Sequence, residues 1–381
     1  MALRGIVRHI ERVTDWQIVP VPVPPDLDAP EAWAAHGDAA VRKAVELDRL
    51  GYDDLAAPAR WILAYLQMQD YSRNVEVVAV PAGVTEPTTA DVVGYAYVSM
   101  PLTSNQHLAQ VGVEVHPAHR GNGAGAALLA EVERIAADAG RTVLHAWVEQ
   151  AGEPADDDPD VLRPPTGSGR VRGDEPGVRL ALSHGYLLEQ AERYSVLQFP
   201  VDSALVQSLH DDAARRAGPE YRLHSWVGDL PAEHVDQFAA LRTRMSTDVP
   251  TAGLEFEEDP WDAARVRQQE EKAHRSGHAA LTTAVEHVPT GELVGYSGIG
   301  FEIARPGPAY QGDTLVLRAH RGRRLGMLLK TQQLSLLRDV RPDAVRIHTW
   351  NAEENAYMLS INVALGFRPT GVTGAWQKRL S

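Results

Sequence analysis

A glycine-rich turn that could hold a phosphate group lies at residues 116–129, which read HPAHRGNGAGAALL. Three glycines and an arginine come directly before an alanine-rich apolar run. The first amides of a helix have no partner inside the helix, and the helix dipole favours negative charge at that end. Glycine also allows the backbone to approach an anion closely. The spacing therefore predicts an anion site where a strand meets the start of a helix.

The same turn occurs a second time at residues 318–329, which read RAHRGRRLGMLL. Residues 91–125 align with residues 292–326 without a gap, with ten identities over 35 positions. The segments VLHAWVE and VRIHTWN, which follow the two turns, also share a His-x-Trp motif. A repeat of this length indicates a duplicated domain rather than the short repeat of a solenoid.

Both copies show the same order of predicted elements. An opening strand precedes one or two helices, further strands lead into the turn, and a helix, the His-x-Trp strand and a last helix follow. This order predicts an α/β fold with a mixed sheet, in two domains at residues 1–201 and 219–381. A linker helix is expected at 202–218. Residues 151–177 are rich in Pro, Gly and Asp, so we expect them to bury no apolar area and to form a mobile loop.

The composition limits the class of protein. Hydrophobic residues make up 44% and charged residues 23%, as in soluble globular proteins. The absence of cysteine excludes disulfides, thiolate zinc sites and a cysteine nucleophile. A net charge of −14 disfavours nucleic acid, and neither a signal peptide nor an apolar run of roughly 20 residues is found. We expect a cytoplasmic monomer or homodimer with no metal site and no nucleic-acid or membrane partner.

Three kinds of phosphate-binding turn compete for the first motif. A Walker loop would need Gly-Lys-Ser/Thr, which is absent. A dinucleotide fingerprint could start at Gly121 with Ala126 in its last position, so that match stays open. The third pattern is R-x-x-G-x-G, formed by Arg120, Gly123 and Gly125.

The third pattern resembles the pyrophosphate loop of the GCN5-related N-acetyltransferase (GNAT) superfamily. Residues 351–367, NAEENAYMLSINVALGF, resemble the family motif that follows the fifth strand. The duplicated turn makes the chain similar to tandem members, namely actinobacterial tandem enzymes and, more distantly, mycothiol synthase. The resemblance implies two units, each with a central, mostly antiparallel twisted sheet flanked by helices.

The resemblance also implies acetyl-CoA as the acyl donor. Strand amides would pair with its pantetheine arm, and the turn would hold its pyrophosphate. In the first unit the implied residues are Val113, Glu114, Val115, Arg120, Gly121, Asn122, Gly123, Ala124, Gly125 and Ala126. In the second unit they are Thr314, Leu315, Val316, Arg321, Gly322, Arg323, Arg324, Leu325, Gly326, Met327, Asn351 and Asn355.

Catalytic candidates follow from the strand ends and from departures from the family pattern. Glu149 and Asp313 lie on strands beside the expected cleft and could accept a proton. The family tyrosine falls on Asn362 in the second copy and on Ala181 in the first. Asp248 lies in a loop that lines the acceptor site in this family, and a carboxylate there would suit a cationic amine.

The resemblance implies an acetyl-CoA-dependent N-acetyltransferase in which a primary amine of a small molecule attacks the thioester directly. The closing motif favours the second unit for chemistry. The alternative is a CoA-binding regulatory or scaffolding protein with one or both units catalytically silent. It is motivated by the missing tyrosines and by Arg324, which stands where the first turn has a glycine.

Overall fold

The computed structural model describes residues 15–380, so the prediction about an export signal falls mostly outside the described residues. The first copy contains β1 (Trp16–Pro20), α1 (Trp33–Leu50), α2 (Ala59–Gln67), β2 (Ser72–Pro81), β3 (Gly94–Pro101), β4 (Leu108–Val115), α3 (Ala124–Asp138), β5 (Val143–Ala151), β6 (Val161–Leu162), β7 (Val171–Arg172), α4 (Pro176–Ser183) and β8 (Leu187–Gln198). The linker is α5 (Ser203–Ala217). The second copy contains β9 (Tyr221–Val227), α6 (Val235–Asp248), α7 (Ala263–Ser276), β10 (His278–His287), β11 (Glu292–Glu302), β12 (Pro308–Val316), α8 (Leu325–Val340), β13 (Arg346–Ala352), α9 (Ala356–Leu365) and β14 (Arg368–Arg379).

One twelve-stranded mixed sheet runs through both copies, in the order β1-β2-β3-β4-β5-β14-β8-β13-β12-β11-β10-β9. Helices cover both faces, and each half of the sheet has a hydrophobic core on either side. The α/β fold predicted from the sequence is confirmed. None of the helices in the described part of the chain has the length and apolar character needed to cross a membrane.

The two copies exchange their last strands. β14, from the second copy, lies between β5 and β8, and β8, from the first copy, pairs with β13 of the second. Trp376 of β14 is completely buried in the core of the first half, and Leu197 of β8 packs in the core of the second. The halves are therefore joined by backbone pairing and by apolar burial, the main favourable term in folding.

Local sequence explains the helices that flank the site. After the first turn, Leu128, Leu129, Val132 and Ala136 are buried along one face of α3, and Gly140 follows its end with a φ of +75°. Asp202 caps α5, because its carboxylate accepts hydrogen bonds from the next helical amides.

The insertion after β5 corrects one expectation. Residues 151–177 include the short hairpin of β6 and β7, and Val171 has no exposed area within the first core. The expectation that this segment buries no apolar side chain is wrong. Leu162 of the same hairpin also packs against this core, although Pro and Gly dominate the composition of the segment.

Candidate functional site

Each half of the sheet opens into a V-shaped cleft between two parallel strands. β4 and β5 pair only from Leu108 to Val111, and β12 and β13 pair only from Pro308 to Tyr310. Beyond these points the strand edges separate. The backbone groups of β4 and β12 that face the gap are left without a strand partner.

The direction of the free amides follows from the neighbouring pairs. The His116 amide donates to the Val93 carbonyl, so the amides of Val113 and Val115 point the other way, into the first cleft. The Leu317 amide donates to the Val294 carbonyl, which directs Thr314 and Val316 into the second cleft.

Of the strand residues predicted to bind the pantetheine arm, some have amides that face away from the cleft. The amides of Glu114 and Leu315 face β3 and β11, because each residue lies two positions before His116 or Leu317, whose amide donates to that side. They do not face a cleft.

The first turn presents a row of free amides to solvent. Gly121 and Gly123 have φ values of +80° and +85°, which glycine adopts readily, and α3 begins at Ala124. Among the described residues, no acceptor meets the amides of residues 121–126. The Trp16 indole of β1 donates to the Asn122 backbone carbonyl at 2.7 Å, which holds the turn in place. The geometry suits a phosphate group.

An arginine supports each turn from the side. Arg120 donates to the Val115 carbonyl at 3.2 Å and pairs with Asp48 at 2.7 Å. Arg321 makes the matching contacts with the Val316 carbonyl at 2.9 Å and with Asp248 at 2.8 Å.

Asp248 also contacts Arg318, at 3.3 Å. Its carboxylate thus lies at the second of the two repeated turns. Its role in binding an acceptor stays a prediction.

The second turn carries more positive charge than the first. Arg324 holds a left-handed conformation at a φ of +59°, where the first turn has Gly123. Arg323 and Arg324 are about half exposed, with acidic neighbours no closer than 3.6 Å and 3.8 Å. Their guanidinium groups are therefore available to a phosphate, which arginine binds well. The amides of residues 322–327 lack an acceptor in the described structure, as in the first turn.

Glu149 lies at the end of β5 beside the first cleft. The Arg49 guanidinium, from the last turn of α1, pairs with Glu149 at 2.7 Å, with Glu114 at 3.5 Å and with Glu46. Burial raises the pKa of the Glu149 carboxyl, and Glu114 adds to the shift, while Arg49 opposes it. A carboxylate with a raised pKa is suited to accept a proton near neutral pH.

Asp313 lies on β12 beside the second cleft. Its carboxylate pairs with Arg242 of α6 and accepts a hydrogen bond from the Tyr296 hydroxyl at 3.0 Å. The first cleft has the same arrangement, since the Tyr95 hydroxyl donates to Glu114 at 2.7 Å. Asp313 and Glu149 lie in different clefts.

Asn362 is buried in a polar chain below the second cleft. Its amide oxygen accepts from the Lys330 ammonium at 2.9 Å, and its amide nitrogen donates to Asn351 at 2.6 Å. Burial lowers the pKa of Lys330 to about 7. Asn355 caps α9, accepting from the Met358 amide at 3.3 Å. The side-chain oxygens of Asn362 and Asn355 therefore both accept hydrogen bonds from within the protein.

The two motif histidines are buried, as their apolar surroundings in the sequence suggest. His145 contacts Gln377 at 2.9 Å and the ring of Phe256, which comes from the second copy. His348 contacts Tyr194 at 2.7 Å and Asp54 at 3.0 Å, both from the first copy. Each half therefore closes over the motif strand of the other.

Sequence reasoning missed Glu192 and Thr373. Glu149 of β5 pairs with Thr373 of β14, and Thr373 pairs with Glu192 of β8. Burial raises the pKa of Glu192 to about 7, with Glu149 contributing and the Trp147 side chain opposing. Only the strand exchange brings these three residues together, so a repeat alignment carries no signal for the site.

Comparison with known proteins agrees with this geometry. Residues 61–157 match the model of the acetyltransferase (GNAT) family, a stretch that runs from α2 past the first turn. None of the curated proteins compared with the sequence matches it.

Three solved structures share the fold. A tandem GNAT protein from the clavulanic acid biosynthesis pathway has a TM-score of 0.68 at 24% identity, covering 96% of this chain and 98% of that one. A GCN5-related N-acetyltransferase from Sphaerobacter thermophilus has a TM-score of 0.56 at 16% identity, covering 96% of each chain. A fungal glucosamine N-acetyltransferase region of a multi-domain GH3 β-N-acetylglucosaminidase reaches 0.58 at 12% identity, covering 96% of this chain and 38% of that one.

The family model covers the first turn and its cleft, and the first two structural likenesses extend over nearly the whole chain. Residues 61–157 therefore match the GNAT family model, and the chain as a whole has the fold of a tandem GNAT protein.

Proposed function

We propose that the protein is an acetyl-CoA-dependent N-acetyltransferase that acts on a primary amine of a small molecule. The observation that carries the proposal is the pairing of a free-amide turn with a free strand edge, present in both halves. The duplicated units span residues 1–201 and 219–381, with 202–218 as the linker, and each gives its last strand to the other.

The residues of both clefts fit acetyl-CoA. In the first unit the amides of residues 121–126 bind the pyrophosphate, and those of Val113 and Val115 bind the pantetheine arm. Residues 322–327, Thr314 and Val316 do the same in the second unit, with Arg323 and Arg324 adding charge. When bound, acetyl-CoA supplies the acetyl group as an activated thioester.

The first unit is the better candidate for chemistry. By the His-x-Trp alignment, Glu149 corresponds to Ala352 at the end of β13, so the second cleft lacks this carboxylate. The amine attacks the thioester carbonyl and forms the amide, the C–S bond breaks, and CoA leaves as a thiolate that takes up a proton. Glu149 accepts the proton that the amine loses. The sequence motif favours the second unit instead, but Asn362 is engaged there by Lys330 and Asn351.

A second candidate function follows for the second unit. With Ala352 in place of a base and with a more positive turn, this unit binds acetyl-CoA without transferring the acetyl group. It would then serve as a regulatory or scaffolding module for the first.

Thiol release from acetyl-CoA in the presence of a panel of small amines tests the proposal. We expect release that requires both an amine and Glu149, with Glu131→Gln as a control on the opposite face of the sheet. Glu131 is paired with Arg134 on the surface of α3. No release with any amine would contradict the proposed transferase activity.

A further inference from the structure

The exchanged strand creates a polar floor where the two units meet. Glu149, Thr373 and Glu192 lie opposite one another on the adjacent strands β5, β14 and β8. Directly paired residues of antiparallel strands point to the same face of a sheet. That face carries α1, because Glu149 meets Arg49 there. The three side chains therefore form one row, which we call the floor.

Carboxyl groups outnumber basic groups around the floor. Five carboxylates gather here, contributed by Glu46, Glu114, Glu149, Glu192 and Glu354. Arg49 pairs with three of them, Glu46, Glu114 and Glu149. Burial raises the pKa of Glu46 to about 8, with repulsion from Glu149 and Glu114 adding to the shift. The site thus holds more acid groups than its own cation neutralises, and an added cation would relieve the repulsion.

Thr373 gives an independent sign of a ligand. Its side chain is 3% exposed, and its hydroxyl has no hydrogen-bond partner among the described residues. A buried hydroxyl without a partner is unfavourable, because it gives up its bonds to water and gains none. Thr373 lines a recess together with Arg49, Glu149, Tyr194 and Trp350. The recess is closed to a water-sized molecule in this structure, so an amino group satisfies this hydroxyl once the side chains around it move apart.

Aromatic side chains border the same place. Trp147 lies beside Glu192, and Trp350 stacks on Tyr194 with ring centroids 4.9 Å apart. Indole faces attract organic cations. The acidic floor and the aromatic side chains beside it together suit a small organic cation better than a neutral ligand.

The spacing of β5 and β8 limits the size of that cation. Glu149 and Glu192 are separated by two strand spacings, about 10 Å between their backbones. A charge-assisted hydrogen bond takes roughly 2.8 Å at either end. Two amino groups joined by a chain of a few carbons therefore span the gap between the two carboxylates.

We propose that the floor is the acceptor site of the first cleft and that it takes a small diamine. One amino group lies at Glu149 and Thr373, within reach of the cleft, and the other is anchored by Glu192. The inference rests on the proposed function, since it names the acceptor of that transfer.

Titration calorimetry on the full chain without acetyl-CoA tests the site, with 1,4-diaminobutane and 1-aminobutane as probes. We expect the diamine to bind about tenfold more tightly than the monoamine. Glu192→Gln should abolish most of that preference, while Glu131→Gln should leave it intact.

Thr373→Val provides a second test that does not depend on charge. Valine keeps the shape of threonine and removes a hydroxyl that has no partner, so the free energy of unfolding should stay equal or rise. The affinity for both amines should nevertheless fall several-fold. Equal binding of the two probes, or an unchanged affinity in Thr373→Val, would overturn the inference.

The two proposals fail separately. Diamine binding with the expected dependence on Glu192, but no thiol release from acetyl-CoA, would contradict the transferase proposal and support the floor site. Thiol release with monoamines and no preference for the diamine would overturn the floor site and support the transferase.

Discussion

Gly123 and Arg324 occupy the same position of the two turns, and both have a positive φ. For a residue other than glycine this conformation costs roughly 1–2 kcal/mol. The second turn therefore holds an arginine under strain next to the amides expected to bind phosphate. Backbone strain at such a place is consistent with a functional role for the side chain.

Substitutions of Arg324 separate conformation from charge. Arg324→Gly relieves the strain but loosens the unfolded chain, so stability should change by less than about 0.5 kcal/mol. Arg324→Val should destabilise by about 1–2 kcal/mol, because a β-branched residue fits a positive φ poorly. Both should weaken acetyl-CoA binding at the second turn, whereas Arg324→Lys should largely keep it. Urea unfolding and acetyl-CoA titration measure the two effects, and equal affinity in all three variants would argue against a phosphate contact.

The lowered pKa of Lys330 should make the free energy of unfolding depend on pH. Its folded pKa of about 7 lies below the usual 10.5, so between these values the unfolded chain binds more protons. Stability from this group therefore rises with pH across that window and is constant below it. Lys330→Met should be more stable than the wild type at pH 7 by a few kcal/mol, and the gap should shrink by pH 10. Urea unfolding at both pH values measures the gap, and a constant gap would contradict the lowered pKa.

Protonation of Glu149 should set the fall in the rate of acetyl transfer at low pH, which is the acidic limb of the pH–rate profile. Because burial raises its pKa, the fraction able to accept a proton falls as the pH drops through that value. Glu149→Gln should lower the rate of acetyl transfer by about 10²–10⁴-fold and remove the acidic limb. The rate of thiol release against pH checks this, with Glu131→Gln as the charge-matched control. An unchanged limb in Glu149→Gln would assign the proton to another group.

At the scale of secondary structure, the exchanged strands bind the two copies into one sheet. Trp376 of β14 is fully buried among residues of the first core, although it belongs to the second copy. β8 contributes Leu187 at its start, and that side chain is 65% exposed. The contribution of a side chain in these strands to stability thus depends on whether it is buried in a core.

Trp376→Ala should destabilise the whole protein by about 3–5 kcal/mol, because it leaves a large cavity in the first core. Leu187→Ala, in the partner strand, should change stability by less than about 0.5 kcal/mol. Urea unfolding followed by fluorescence and by circular dichroism measures both. Loss of structure confined to the second half in Trp376→Ala would contradict the exchange.

The sequence predicts the elements that have a local signal, up to the last helix of each copy. The apolar run after the first turn, the linker helix expected at 202–218 and the repeated His-x-Trp motif lead to α3, α5, β5 and β13. The exchange of β8 and β14 has no local signal, since both strands carry the same pattern whichever neighbour they pair with. The row of Glu149, Thr373 and Glu192 depends on that exchange, and for this reason sequence reasoning finds Glu149 alone.

At the scale of the whole molecule, the chain has two similar clefts that differ in their charged side chains. The first has a glycine turn and Glu149, and the second has a turn with three further arginines at 318, 323 and 324 and an alanine at the position of Glu149. The two halves also cover each other, as Phe256 lies on His145 and Tyr52 beside His348. We therefore expect two acetyl-CoA sites and one centre of chemistry.

Acetyl-CoA titration by calorimetry on matched loop variants tests this account most directly. Gly121 and Gly322 are equivalent, both have a φ of +80°, and open space surrounds both. Asp is tolerated in this conformation and would repel a pyrophosphate, while Asn is the neutral control of the same shape. We predict two sites in the wild type, loss of one site in each of Gly121→Asp and Gly322→Asp, and two sites in the Asn variants. Thiol release should be lost in Gly121→Asp and kept in Gly322→Asp. An absence of acetyl-CoA binding in the wild type, or equal losses in the Asp and Asn variants, would contradict the account.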